Sequence, residues 1–277
     1  MRLLHFILSH SIFIAFCAVA MCLQTITVLH LQNDMWLLGF VFFATLSSYN
    51  AYWLFSNKIF GSVFYQQIFF KKERLKILLI AIYITGLFIC YYHSSLSINL
   101  IWPAVILNLL YIVPLLPIKA LRFTRRIGFF KTTLLSFTWM YVTGFLPLQK
   151  SFFLVTDLET VLLINRFLFM LLLCVVFDNR DVAVDKIKGL HNIVSDIKPA
   201  AVKLFVLLLF ILLVGSVFLL QYLGLDLQQT FALIISAIAA GYFFYLSLQK
   251  KRSYFFYYFF VDGLMLFSAL ATYVAGI

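Results

Sequence analysis

Asp178, Asp181 and Asp185 stand three and four residues apart in a chain that has only ten acidic residues among 277. On a helix those spacings bring all three carboxylates to one face. Like charges so arranged repel unless a cation lies among them, and a hard divalent ion such as Mg2+, with carboxylate and water ligands, suits that donor set. The same residues also suit a solvated helix end at a membrane surface, where Arg180, Lys186 and Lys188 neutralise the acids. Spacing alone leaves both readings open.

The elements that must position this stretch follow from composition. The chain is 64% hydrophobic and 11% charged, so a water-soluble fold would expose large apolar patches. Runs of roughly 20 apolar residues recur along its whole length, each long enough to cross a hydrocarbon layer of about 30 Å as a helix. They lack the polar/apolar alternation of an outer-membrane barrel strand. The expected fold is all-α, a polytopic membrane helical bundle of nine transmembrane helices in a single integral membrane domain, residues 1–277. The expected spans are 6–29, 35–56, 75–93, 96–118, 128–149, 159–178, 201–222, 228–248 and 254–276. Arg2 followed by an apolar run with Ala18-Val19-Ala20 has the look of a cleavable signal. The apolar run continues to about Leu31, which favours a retained span.

Charge orients these spans. Lys58, Lys71, Lys72, Arg74 and Lys76 fall between the second and third, Lys119, Arg122, Arg125, Arg126 and Lys131 after the fourth, and a further group after the sixth. Of the 21 Lys and Arg residues, all but Lys150 and Arg166 fall on one side of the expected layer. By the positive-inside rule that side is cytoplasmic, so the N-terminus is cytoplasmic, the C-terminus is outside, and Asp178, Asp181 and Asp185 face the cytoplasm. A net charge of +11 is thereby a signature of orientation, and nucleic acid is not an expected partner. Cys17, Cys22, Cys90 and Cys174 all lie in apolar runs without metal-ligand spacing, as ordinary buried thiols do.

Two further groups carry charge where it matters. The cluster from Lys119 to Lys131 could cradle a diphosphate or bind anionic lipid headgroups. Asp262, about eight residues into an apolar span, is costly there unless paired or hydrated, which makes it a site candidate, unless Lys250, Lys251 or Arg252 snorkels to it. His191 reads as a solvated loop residue, and no G-x-S-x-G, P-loop, H-E-x-x-H or dinucleotide fingerprint is present.

Nine spans, a basic loop after the fourth, and D-x-x-D-x-x-x-D followed by K-x-x-G make the chain resemble the UbiA-type intramembrane prenyltransferases. Asp181 and Asp185 match the core of that family's second acidic motif, with Asp178 before it and Gly189 after it. Tyr111, Pro114, Lys119, Arg122, Lys131 and Trp139 resemble its basic loop and following helix, and Asp262-Gly263-Leu264-Met265 is similar to a stretch of the last span. The resemblance implies a bacterial inner-membrane enzyme that holds a prenyl diphosphate through Mg2+ on Asp178, Asp181 and Asp185. It would ionise the diphosphate and pass the isoprenoid to a lipophilic acceptor within the bilayer. Basic side chains, Lys58, Lys119, Arg122, Lys131 and Lys186, would face the diphosphate.

The family's first motif, N-D-x-x-D-x-x-x-D, is degenerate here. If Asn50 takes the place of its asparagine, the three aspartates become Ala51, Leu54 and Lys58. Lys58 can supply positive charge to phosphate in place of a bridged metal ion, and Asn50 is either a ligand contact or an interhelical hydrogen-bonding residue. The alternative implied by that loss is a catalytically degenerate protein of the same fold that binds a lipid diphosphate or serves a structural role.

Overall fold

The structure, a computed structural model, describes residues 2–60, 66–112, 128–188, 191–249 and 252–277. Side chains are described for all of these but 2, 3, 5, 53–60, 66–76, 112, 128 and 183–188. The described residues contain helices and no strand. In order they are α1 (Arg2–Ser9), α2 (Ile12–Val28), α3 (Met35–Phe60), α4 (Gln66–His93), α5 (Ile98–Ile112), α6 (Gly128–Met140), α7 (Asp157–Lys188), α8 (Ile193–Asp196), α9 (Pro199–Tyr222), α10 (Leu227–Gln249) and α11 (Asp262–Ala275). A π-helical turn, Tyr141–Phe145, continues α6, and another, Phe256–Val261, leads into α11.

Four stretches, Asp157–Val182, Pro199–Tyr222, Leu227–Gln249 and Phe256–Ala275, are long and apolar enough to cross a membrane. Ile12–Val28, Ile77–His93 and Ile98–Tyr111 are apolar but shorter. α9 shows how such helices divide their surface. Val202, Val206, Leu209, Leu213 and Val217 are buried, while Leu204, Leu207, Leu208, Ile211 and Leu212 are more than half exposed. An exposed face this apolar is a lipid-type face, because water would leave it unsolvated.

α7 is the most buried of the long helices and packs against α6, α9 and α10; α2 packs against α11 and α3, and α3 against α4. Polar side chains tie the helices together inside this core. Gln24 Nε2 on α2 donates to Ser268 Oγ at 3.0 Å and Thr272 Oγ1 at 2.9 Å on α11. Asn165 donates to Ser216 at 2.9 Å, joining α7 to α9, and Asn179 Nδ2 donates to the Ser247 carbonyl at 3.1 Å, joining α7 to α10. In an apolar layer such interhelical bonds fix register, since hydrocarbon offers these groups no other partner.

Two expectations from sequence are corrected. The first expected span, 6–29, is two helices, because Ser11 lies between α1 and α2 with φ 61, a left-handed conformation that no α-helix accommodates. The expected spans also stop short, because the connections between the second and third and between the sixth and seventh are largely helical: α3 reaches Phe60, α4 starts at Gln66 and α7 continues to Lys188. A helix leaving an apolar layer keeps its backbone bonds internal, so charged residues simply extend it. All four cysteines are buried and free.

Candidate functional site

A cavity of about 150 Å3 opens where the C-terminal halves of α3, α5 and α7 meet the N-terminal ends of α2, α6 and α11. Its walls are of two kinds. Lys131, Asp178, Arg180, Asp181 and Asp262 supply charge, while Tyr49, Tyr52, Tyr111, Trp139, Phe177 and Tyr258 supply aromatic surface, with Met170 and Met265 beside them.

Asp178 and Asp181 enter the cavity from one face of α7, as the i, i+3 spacing requires. Asp178 is buried, at 9% exposure. The Thr132 hydroxyl on α6 donates to its Oδ2, and Asn192 Nδ2 donates to its backbone carbonyl at 3.3 Å. Asn192 is itself locked by a capping box with Ser195 at the start of α8, so the start of α8 is tied to the backbone of α7 at Asp178.

Asp181 is held by its neighbour. Arg180 Nε donates to Asp181 Oδ1 at 2.6 Å and Nη2 to Oδ2 at 2.8 Å. The same guanidinium lies over Phe177, Tyr257 and Tyr258, at 5.0, 5.2 and 4.8 Å from the ring centroids. The π-helical turn before α11 is what brings two consecutive tyrosines, 257 and 258, against one arginine. Arg180 Nη1 is buried with no hydrogen-bond partner, which leaves one nitrogen of a fixed cation, with its two N–H groups, uncommitted. Asp262, the first residue of α11, is 7% exposed and lines the same cavity.

The donor set suits a hard cation. Carboxylate oxygens are the ligands such an ion takes along with water, and Asp178 and Asp181 both line this one cavity. Among the described residues no group of three or more His, Cys, Asp or Glu side chains is placed to hold a metal, and the side chains of Asp185 and Lys186 lie outside the described residues.

The other expected site residues divide clearly. Lys131 lines the cavity. Lys119 and Arg122 lie outside the described residues, as does the Lys58 side chain on α3. Asn50 does not line the cavity; its Nδ2 donates to the carbonyls of His10 at 3.1 Å and Leu46 at 2.8 Å, the interhelical role open to it from sequence. Asp262 joins the site, while Arg252 turns away, its Nε donating to the Leu246 carbonyl at 3.0 Å and its guanidinium lying over Phe256. His191 pairs with Asp196 at 2.7 Å on the surface.

Sequence reasoning named Arg180 only as a charge neutralising the acids, and it did not single out Thr132. Phe177 and Arg180 at i, i+3 carried a signal for a ring-stacked arginine, but nothing local announced Thr132, whose meeting with Asp178 depends on how α6 packs on α7. No family model matches the chain, and neither a curated protein nor a solved structure matches it.

Proposed function

We propose that this chain is an integral membrane protein, a nine-span bundle with its N-terminus cytoplasmic, that acts as a UbiA-like prenyltransferase of a bacterial inner membrane. Its substrates are a prenyl diphosphate and a lipophilic acceptor. The observation that carries this reading is one cavity in which Lys131 and Arg180 stand beside Asp178, Asp181 and Asp262, while the rest of the wall is aromatic and apolar.

A prenyl diphosphate has the matching two-part chemistry. Its anionic head calls for fixed cations, and its chain calls for an apolar wall. When the allylic carbon–oxygen bond breaks, the diphosphate keeps the electron pair, and Lys131 and Arg180 stabilise the charge that develops there. The rings of Tyr49, Tyr52, Tyr111 and Trp139 then face an allylic cation with their negative quadrupole surfaces and keep water from it. Asp178 and Asp181, with Asp185 on the same helix, would hold Mg2+, which when bound neutralises part of the diphosphate charge. The acceptor forms the new bond to the allylic carbon and loses a proton.

The test is Mg2+-dependent consumption of geranyl, farnesyl and geranylgeranyl diphosphate by the full chain in detergent. Turnover that disappears in Asp178→Asn and Asp181→Asn supports the reading; no turnover with any of the three, and wild-type behaviour of both variants, rejects it. A second reading, a lipid-diphosphate binder without catalysis, is favoured by the two-pronged Arg180–Asp181 pair, which leaves that acid neutralised. Stoichiometric binding without product would decide for it.

A further inference from the structure

Behind the first cavity lies a second, of about 60 Å3, between α3, α5 and α6. Tyr49, Leu135 and Trp139 line both spaces. The Tyr49 and Trp139 rings stand edge to face, with centroids 6.3 Å apart and planes at 66°, so this pair forms the partition between them. Trp139 is buried at 6% exposure, so a chain passes the partition only by moving the rings.

The second space is less polar than its residue names suggest. The Thr45 hydroxyl donates to the Val41 carbonyl at 2.8 Å, the Thr138 hydroxyl to the Leu134 carbonyl at 2.8 Å, and Asn108 Nδ2 to the Ala104 carbonyl at 2.9 Å. Each donor is committed to its own helix one turn back. Apart from Ser48, what remains toward the cavity is mostly apolar surface from Ala44, Leu135, Val142 and the two rings.

Resting on the reading that the first cavity holds a prenyl diphosphate by its head, we propose that the second cavity receives the far end of the isoprenoid chain. In this arrangement the Tyr49–Trp139 pair sets how long a chain is accepted. A diphosphate at Lys131 and Arg180 fixes the direction of the chain, because hydrocarbon gains nothing beside those charges and gains burial by passing the two rings. Short chains end before the partition. Longer ones displace the rings and enter the space beyond, where each added methylene contributes affinity.

The experiment is calorimetric binding of inorganic pyrophosphate and of geranyl, farnesyl and geranylgeranyl diphosphate to the full chain in detergent. Wild type is compared with Ala44→Leu, which fills only the rear cavity, and with Trp139→Ala, which opens the partition. The expected result is a loss of about tenfold or more in geranylgeranyl diphosphate affinity in Ala44→Leu, with geranyl diphosphate and pyrophosphate unchanged, and a relative gain for the longest chain in Trp139→Ala. A response to Ala44→Leu that is the same for every length, or absent, overturns the partition alone, and this arm stands even where Trp139→Ala does not fold. Wild type that binds none of the diphosphates overturns the head-group reading and the chain-length device together.

Discussion

Arg180 grips Asp181, its own neighbour in sequence, through two hydrogen bonds of 2.6 and 2.8 Å while its guanidinium lies over three aromatic rings. Consecutive residues on a helix point about a third of a turn apart, so this pair meets only because the rings of Phe177, Tyr257 and Tyr258 turn the arginine back along the helix. The planar fork is used on both its edge and its face at once, and lysine, a point charge without that plane, cannot do both.

Arg180→Lys therefore keeps the charge and loses the device. The pair is partly exposed, at 23% for Arg180 and 34% for Asp181, so solvent screening limits its worth. The expected cost is about 1 kcal/mol of stability, read as a lower midpoint of thermal unfolding in detergent. Binding of farnesyl diphosphate should fall about tenfold or more, because a charge-assisted contact to phosphate is lost along with the fixed position of Asp181. An unchanged affinity would remove Arg180 from the head-group site.

Asn50 offers a prediction that separates two roles. As a remnant of an acidic ligand motif it would be needed for diphosphate binding; as a link from α3 to the His10 carbonyl it is needed only for packing. Asn50→Ala should cost about 0.5–1 kcal/mol in unfolding, the usual size of a hydrogen bond between membrane helices, and leave farnesyl diphosphate affinity as in wild type. A selective loss of affinity with normal stability would restore the ligand role.

Arg166 is buried at 3% exposure, and its partners are the Met21 carbonyl at 3.1 Å and the Thr25 hydroxyl at 3.1 Å, with no carboxylate paired to it among the described residues. Thr25 still donates to the Thr143 carbonyl at 2.8 Å without it. Replacing a buried charge by an apolar side chain of similar length is often neutral or better, whereas a shorter cation that cannot span two acceptors leaves a charge unsatisfied. Arg166→Met is thus expected to unfold within about 1 kcal/mol of wild type, and Arg166→Lys to be less stable by about 3 kcal/mol or more. Chemical denaturation of the two variants side by side checks the order; the reverse order would mean that Arg166 has a buried anionic partner.

Much of this molecule was readable from residue order, and the rest was not for physical reasons. Apolar runs locate the helices because the backbone in an apolar layer must bond internally, and the spacing of Asp178 and Asp181 places both on one helical face. The left-handed Ser11 was invisible, since a positive φ at serine is imposed by packing and not by local preference. The π-helical turns at Tyr141–Phe145 and Phe256–Val261 were equally hidden. Each inserts a residue into a helix that apolar periodicity would read straight through, and the second is what aims Tyr257 and Tyr258 at Arg180 and sets Asp262 at the cavity. Thr132 and Asp178 are 46 positions apart, and only the contact between α6 and α7 joins them.

A close approach of α3 and α4 yields a prediction that tests packing alone. A Cβ added at Gly39 on α3 would stand 2.8 Å from Cys90 Sγ on α4 but 3.8 Å from Cys90 Cβ. The clash is thus with one sulfur atom, and Cys90 is buried at 6% exposure with little room to turn. Gly39→Ala should cost about 1–3 kcal/mol, as overpacked cores do. Cys90→Ala removes the sulfur at a cost of its own, from the small void it leaves. In the double variant the new methyl group occupies that void, so its stability should exceed the sum of the single effects by about 1 kcal/mol or more. Unfolding midpoints of the four proteins give the coupling directly, and strict additivity would mean that α3 and α4 do not meet through this glycine and this thiol.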